Sequence, residues 1–154
     1  MSRRIALSVV AGVVVLGGAG AFALAYAGDQ DPSPALAHSA VRYTAPEAGH
    51  QGSLSFTTEV GAPSGVKSLK VLAWPEKSEF ATEHLTAKEM AEAEVESATC
   101  TPAGDHTVRC VYRAPVSAAD AASSAHGAWH VAVLATAKDG HTTFDTKAAD
   151  FTLA

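Results

Sequence analysis

The segment that decides the fold reads Ala128-Trp129-His130-Val131-Ala132-Val133-Leu134-Ala135-Thr136-Ala137, and it is followed by Lys138-Asp139-Gly140-His141. Its larger apolar residues recur at every second position, which is the period of a β-strand that buries one face. They are Trp129, Val131, Val133 and Ala135. The Asp-Gly pair is typical of a tight hairpin turn. The segment therefore predicts a strand that leads into an antiparallel neighbour.

The rest of the chain adds further short strands at similar spacing. Alternating apolar residues predict strands over 54–60 and over 66–74, and one or two final strands over 142–145 and 149–153. Thr86 and Glu89 form a capping-box pattern that predicts a short helix near 87–92, and Ser117 begins a second candidate helix. About seven short strands predict an all-β, antiparallel β-sandwich with one or two short connecting helices.

The chain has two cysteines, Cys100 and Cys110, on polar strand-like runs that flank a turn cluster. An exported chain with an even cysteine count most often forms structural disulfides, so we expect these two to close a β-hairpin. The tip of this hairpin is the candidate interaction loop. Its residues are Thr101, Pro102, Ala103, Gly104, Asp105 and His106.

The second arm of the predicted hairpin alternates in character. Val108, Cys110 and Tyr112 should face inward, whereas Arg109 and Arg113 should face outward.

The N-terminus has the features of an export signal. Arg3 and Arg4 precede an uncharged apolar run over 5–27 that ends in Ala25-Tyr26-Ala27, which predicts a signal peptide over 1–27. An uncleaved membrane anchor is the alternative, because the run is long enough to span a bilayer. Both interpretations place the remainder outside the cytoplasm, secreted or associated with the cell envelope. The Pro-rich residues 28–51 predict a flexible tether with a short edge strand at 41–43. Residues 52–154 are then expected to form the folded domain.

The charge balance limits the partners. Without Arg3 and Arg4, 9 basic and 16 acidic residues remain, a formal net charge of −7. This balance argues against a nucleic acid as the partner. Contact with a membrane is expected only through the N-terminal segment, if that segment is not cleaved. The expected partner is an unknown protein or a cell-envelope polymer, and the sequence leaves the oligomeric state open.

No motif indicates catalysis or a cofactor. The seven histidines match no zinc-site spacing, the chain lacks Gly-x-Ser-x-Gly, and the two cysteines are expected to be oxidised. Asp139, Asp145 and Asp150 could bind calcium only if folding brought them together, and the sequence leaves that open. The sequence therefore predicts a protein that is not an enzyme and binds no cofactor.

Two parts of the chain resemble known families. The run from Gly127 to Gly140 is similar to the penultimate strand and final turn of bacterial immunoglobulin-like domains. This likeness implies an all-β, antiparallel immunoglobulin-like β-sandwich and nothing about a ligand. From Gly52 to Leu153 the chain resembles an actinomycete family of exported proteins, a domain of unknown function. The residues that carry this second likeness are 65–75, 96–100 and the Gly127 run. It implies no functional residues.

A weaker likeness suggests another function. The segment Thr99-Cys100-Thr101-Pro102-Ala103-Gly104-Asp105-His106 resembles part of the actinomycete subtilisin inhibitors, which implies a secreted protease inhibitor as the alternative. That family has a second disulfide, for which this chain has no cysteines. A rigid exposed loop would favour the inhibitor, and an acidic or aromatic sheet face would favour an interaction module.

Overall fold

The computed structural model describes residues 32–79, 84–92 and 94–153, so the predicted signal peptide over 1–27 lies outside the described residues. The described chain forms seven strands and two short helices. The strands are β1 (Ala35–Thr44), β2 (Gly52–Gly61), β3 (Val66–Pro75), β4 (Thr99–Gly104), β5 (Thr107–Val116), β6 (Gly127–Ala137) and β7 (Thr142–Leu153); the helices are α1 (Ala87–Met90) and α2 (Ala118–Ser123).

The strands form two antiparallel sheets. A four-stranded sheet has the order β1-β2-β5-β4, and a three-stranded sheet has the order β3-β6-β7. This is the strand order of constant-type immunoglobulin domains. The predicted antiparallel β-sandwich of seven strands with short connecting helices is therefore confirmed.

Strand β6 is the centre of the three-stranded sheet and is buried on both faces. Trp129, Val131 and Val133 point toward the four-stranded sheet, where they join a core that includes Phe56 and Val60 of β2. Ala132 and Leu134 point the other way and are also buried. A second layer must therefore cover the outer face of this sheet.

The connection between β3 and β4 supplies that cover. Its residues Leu85 and Met90 pack with Trp74, Ala132 and Leu134 in a second apolar cluster. Helix α1 begins with the predicted capping box, in which the Thr86 hydroxyl accepts from the Glu89 backbone N–H. Helix α2 begins with a second capping box, formed by Ser117 and Asp120. The short α1 is thus anchored by Met90, which is fully buried.

The predicted tether over 28–51 is wrong for residues 35–44. These residues form β1, which pairs with β2 along most of its length, rather than the three-residue strand expected at 41–43. Val41 and Tyr43 are buried in the main core. A Cβ at Gly52 would lie 2.3 Å from the Thr44 carbonyl oxygen, so the two strands meet too closely for any larger residue. The folded domain therefore extends upstream of the predicted boundary at 52.

Strand β7 is one strand rather than two short ones, and it is interrupted by an irregularity. Val131 of β6 lies opposite Ala149, but Val133 lies opposite Asp145, so extra residues of β7 bulge out between these pairs. The bulge places the Thr146 carbonyl where it accepts a hydrogen bond from the Trp74 indole N–H at 3.0 Å. The bulge thereby holds Trp74 on the outer face of the three-stranded sheet.

Candidate functional site

The hairpin of β4 and β5 contains the predicted disulfide. Cys100 and Cys110 lie directly opposite each other on the two strands and are joined by a bond between their sulfur atoms. Cys110 is fully buried in the main core. The bond links neighbouring strands of one sheet, unlike the bond between sheets that antibody domains use. The prediction of a stapled hairpin is confirmed.

The candidate interaction loop is placed at the tip of this hairpin, and all six of its residues are exposed. Residues 101–104 belong to β4, so the turn itself consists of Asp105 and His106 and is shorter than the loop predicted from the sequence. His106 has a left-handed φ of 58°. Its carbonyl accepts from the Ala62 N–H at 3.0 Å, which ties the tip to the turn after β2.

The two faces of β5 are as predicted. Val108, Cys110 and Tyr112 pack against the main core, whereas Arg109 and Arg113 are exposed. Thr99 and Thr101 of β4 are exposed beside the outward residues of β5.

A groove opens where β4 begins. Thr99 lies opposite Val111, so residues 112–116 of β5 have a paired strand on the β2 side only. Upstream of Thr99 the chain crosses to the other sheet, where the Glu96 carbonyl accepts from Val71 N–H and Ala98 N–H donates to the Leu69 carbonyl, both at 2.9 Å. The space left between this crossing segment and β5 is a cavity of about 540 Å³, which we call the edge groove. It is lined by Glu96, Ser97, Thr99, Val111, Tyr112 and Arg113.

Tyr112 determines the polarity of the edge groove. Its hydroxyl donates to Glu96 Oε2 at 2.5 Å. Burial, together with this carboxylate, raises the pKa of Tyr112, so the phenol remains a neutral donor. Arg113 contributes the positive charge of the groove, and Val111 contributes an apolar wall. The groove can therefore accept a chain that is partly apolar and that carries hydrogen-bonding groups.

A second polar cluster lies on the outer face of the three-stranded sheet, and no pattern in the sequence predicted it. Trp74, His130 and Asp150 stand directly opposite one another on β3, β6 and β7. His130 is 5% exposed, and its Nδ1 lies 2.6 Å from Asp150 Oδ1. Its Nε2 lies 3.6 Å from Glu76 Oε1, and its ring centre lies 4.7 Å from that of Trp74. The alternation of β6 indicated only that His130 faces away from the core; the burial comes from pairing between strands.

The contacts of this histidine cluster are those of a structural site rather than those of a catalytic centre. His130 Nε2 is buried and has no hydrogen-bond partner, so no serine or cysteine of the described chain is held against it as a nucleophile. The pair with Asp150 instead fixes β7 to β6 beside the bulge. A histidine and a carboxylate alone do not form a nucleophilic centre.

The three aspartates considered for calcium each have a different local partner. Asp139 accepts from the His141 backbone N–H and lies near its ring, and these contacts lower the pKa of Asp139. Asp145 accepts from the Lys147 N–H at 2.8 Å, and Asp150 pairs with His130. Within 32–79, 84–92 and 94–153, no three histidine, cysteine or acidic side chains are close enough to hold a metal ion.

Comparison with known proteins gives a family. A model of a family of unknown function, DUF5707, matches residues 36–135. The chain belongs to this family. The match runs from β1 to the end part of β6, so it includes the stapled hairpin and the edge groove. The expected membership of a family without an assigned function is confirmed. No curated protein and no solved structure matches the chain.

The described helices are short. None formed by the described residues has the length and apolar character needed to cross a membrane.

Proposed function

We propose that this protein is an exported, non-enzymatic binding module that holds a partner outside the cytoplasm at the edge groove. One observation carries the proposal: the groove lies against a stretch of β5 that lacks a strand on one side, next to a hairpin closed by a disulfide. The arginine, the phenol and the carboxylate that line it provide specific polar contacts.

The free edge of β5 supports binding of an extended segment. An edge strand offers backbone N–H and C=O groups to an added strand, which is a common mode of peptide recognition. Pro115 lacks a backbone N–H, and this limits how far such pairing can extend. The disulfide and the contact between Ala62 and His106 hold the neighbouring hairpin rigid, which lowers the entropy lost on binding.

Export is supported by two independent features. The uncharged run after Arg3 and Arg4 has the features of a signal peptide. The bond between Cys100 and Cys110 is compatible with an oxidising, extracytoplasmic location. A non-enzymatic role is supported by His130, whose Nε2 is buried and has no hydrogen bond to a nucleophile in the described chain.

The test is capture of a partner from the culture medium and cell envelope of the producing cell by the immobilised exported protein. Thr99→Trp fills the groove, and Thr152→Trp places the same side chain on an exposed position of β7 in the other sheet. We expect a partner that the wild type and Thr152→Trp retain and that Thr99→Trp loses. Equal retention by both variants, or no partner at all, would contradict the proposal.

A secreted protease inhibitor is the second candidate, favoured by the exposed and rigid hairpin tip. The pairing of residues 101–104 with β5 counts against this function, because an inhibitory loop must be free to lie extended in a protease active site. Residual subtilisin activity in the presence of excess protein tests this function. Full activity would remove the inhibitor hypothesis.

A further inference from the structure

The outer face of the four-stranded sheet brings together residues from three strands. Arg42 of β1 lies opposite Ser55 of β2, and Ser55 lies opposite Arg113 of β5. Directly opposed residues point to the same face, so the three side chains stand in one row, which we call the Arg–Ser–Arg row. Two strand spacings separate the Cα atoms of the arginines by about 10 Å.

Neither arginine of this row is neutralised. Arg42 and Arg113 are exposed, and neither side chain has an ion pair or hydrogen bond within the described chain. Arg109, the third arginine on this face, is different because it binds Glu59 Oε1 at 3.1 Å. The row therefore presents two positive charges that form no ion pair, one on either side of a hydroxyl.

The positive charge is local, because the protein as a whole is acidic. The four strands of this sheet carry three arginines and one glutamate. The connection between β3 and β4 carries seven glutamates between positions 76 and 96, and its packed part covers the outer face of the other sheet. The overall acidic charge thus conceals a local excess of positive charge on the strands of the four-stranded sheet.

We propose that the Arg–Ser–Arg row binds a linear, phosphate-bearing polymer of the cell envelope. This assignment rests on the proposed binding function and names the chemistry of the partner. Guanidinium groups bind phosphate oxygens through paired hydrogen bonds. The free oxygens of a tetrahedral phosphate point in different directions, so one phosphate can contact a guanidinium on either side and the Ser55 hydroxyl beneath it.

The surroundings of the row fit such a polymer better than they fit a nucleic acid. The Tyr and Phe side chains of these four strands, Tyr43, Phe56 and Tyr112, all point inward, so these strands present no phenyl or phenol ring on the outer face for a base to stack on. Thr57 lies two residues along β2 from Ser55 on the same face, and Val111 separates it from Thr99 of β4. Arg113 also lines the edge groove, so the row and the groove share this residue.

The experiment measures binding of inorganic polyphosphate of defined length to the full chain by titration calorimetry at low ionic strength. Arg42→Gln and Arg113→Gln should each weaken binding roughly tenfold, the loss expected for one charge-assisted contact. The slope of log affinity against log salt should fall by about one for each arginine removed. Lys88→Gln removes the same charge from α1 and should change the affinity less than about twofold. Thermal unfolding checks that each variant is folded.

Four results would overturn the assignment. Lack of polyphosphate binding by the wild type would remove it, as would an equal loss with Lys88→Gln. Polyglutamate bound as tightly, with the same dependence on Arg42 and Arg113, would transfer the site to carboxylate polymers. Single-stranded DNA bound more tightly than polyphosphate would indicate nucleic acid. A captured partner that depends on the groove, without polyphosphate binding, would leave the proposed function intact and remove this inference alone.

Discussion

The two outer faces of this sandwich differ in what covers them. The outer face of the three-stranded sheet lies beneath the connection between β3 and β4, where Leu134 and Trp74 pack with Met90. The outer face of the four-stranded sheet is uncovered and carries small polar residues and arginines, among them Ser55 and Arg113. The first face therefore contributes to stability, whereas the second is free to bind.

The largest expected difference between the faces concerns apolar burial. Leu134→Ala should lower the free energy of unfolding by about 3 kcal/mol, because it removes a buried side chain and leaves a cavity. Thr57→Ala, on the outer face of the other sheet, should change it by less than about 0.5 kcal/mol. Urea denaturation of the two variants measures both values. Similar losses for both would mean that the two faces contribute equally to stability.

The disulfide should matter most at the edge of the four-stranded sheet. Replacing Cys100 and Cys110 together by alanine should cost about 2–3 kcal/mol, because the unfolded chain loses the constraint of a closed loop. Native-state hydrogen exchange should then show faster exchange in β4 than in β6. Uniform loss of protection in both strands would contradict a local role for the bond.

The histidine cluster tests how much a buried polar contact on the covered face contributes to stability. Asp150→Ala leaves His130 Nδ1 buried without its carboxylate partner, and this should cost about 2 kcal/mol. Asp105→Ala removes the same group from the exposed hairpin tip and should cost less than about 0.5 kcal/mol. Thermal unfolding of both proteins at neutral pH gives the comparison. A stability of Asp150→Ala equal to that of the wild type would show that the cluster does not hold β7 in place.

The smallest expected effect concerns the two tyrosines under the four-stranded sheet. Burial raises the pKa of both Tyr43 and Tyr112 above the ordinary value of 10.0, and Glu96 raises that of Tyr112 further. The folded protein therefore holds these phenol protons more tightly than the unfolded chain. The contribution of these tyrosines to the free energy of unfolding is fully present below pH 10 and should fall as pH rises through the alkaline range.

Phenylalanine variants separate the two tyrosines. Tyr112→Phe should cost about 1 kcal/mol at neutral pH, because it removes the hydrogen bond to Glu96. Tyr43→Phe should cost nothing or stabilise the protein, since the Tyr43 hydroxyl is buried without a partner. Both variants should lose less stability than the wild type at alkaline pH. An unchanged alkaline slope in Tyr112→Phe would contradict the role given to its phenol.

The local patterns predicted much of the fold. The alternation in β2, β5 and β6 predicted their faces, Thr86 and Glu89 predicted the start of α1, and the two cysteines predicted the hairpin. Strand β1 was underestimated because its N-terminal half has weak apolar alternation, and it becomes regular only through pairing with β2.

The candidate sites were less predictable, because the register of strands far apart in sequence creates them. Arg42 and Arg113 meet across Ser55, and His130 meets Asp150, only after three strands have paired. The overall acidic charge argued against nucleic acid, yet it says nothing of how charge is divided between the two sheets. The edge groove likewise depends on where β4 begins, which no local signal at Thr99 indicates.

The uncovered face of the four-stranded sheet is the binding face in both proposals, and its role can be measured residue by residue. Nuclear magnetic resonance of the labelled protein during titration with polyphosphate follows backbone amides and arginine side chains together. We expect shifts confined to the Arg–Ser–Arg row and the edge groove, led by the side chains of Arg42 and Arg113. Shifts centred on Lys67, Lys70 and Lys147 of the other sheet, with those arginines unchanged, would contradict a binding role for this face.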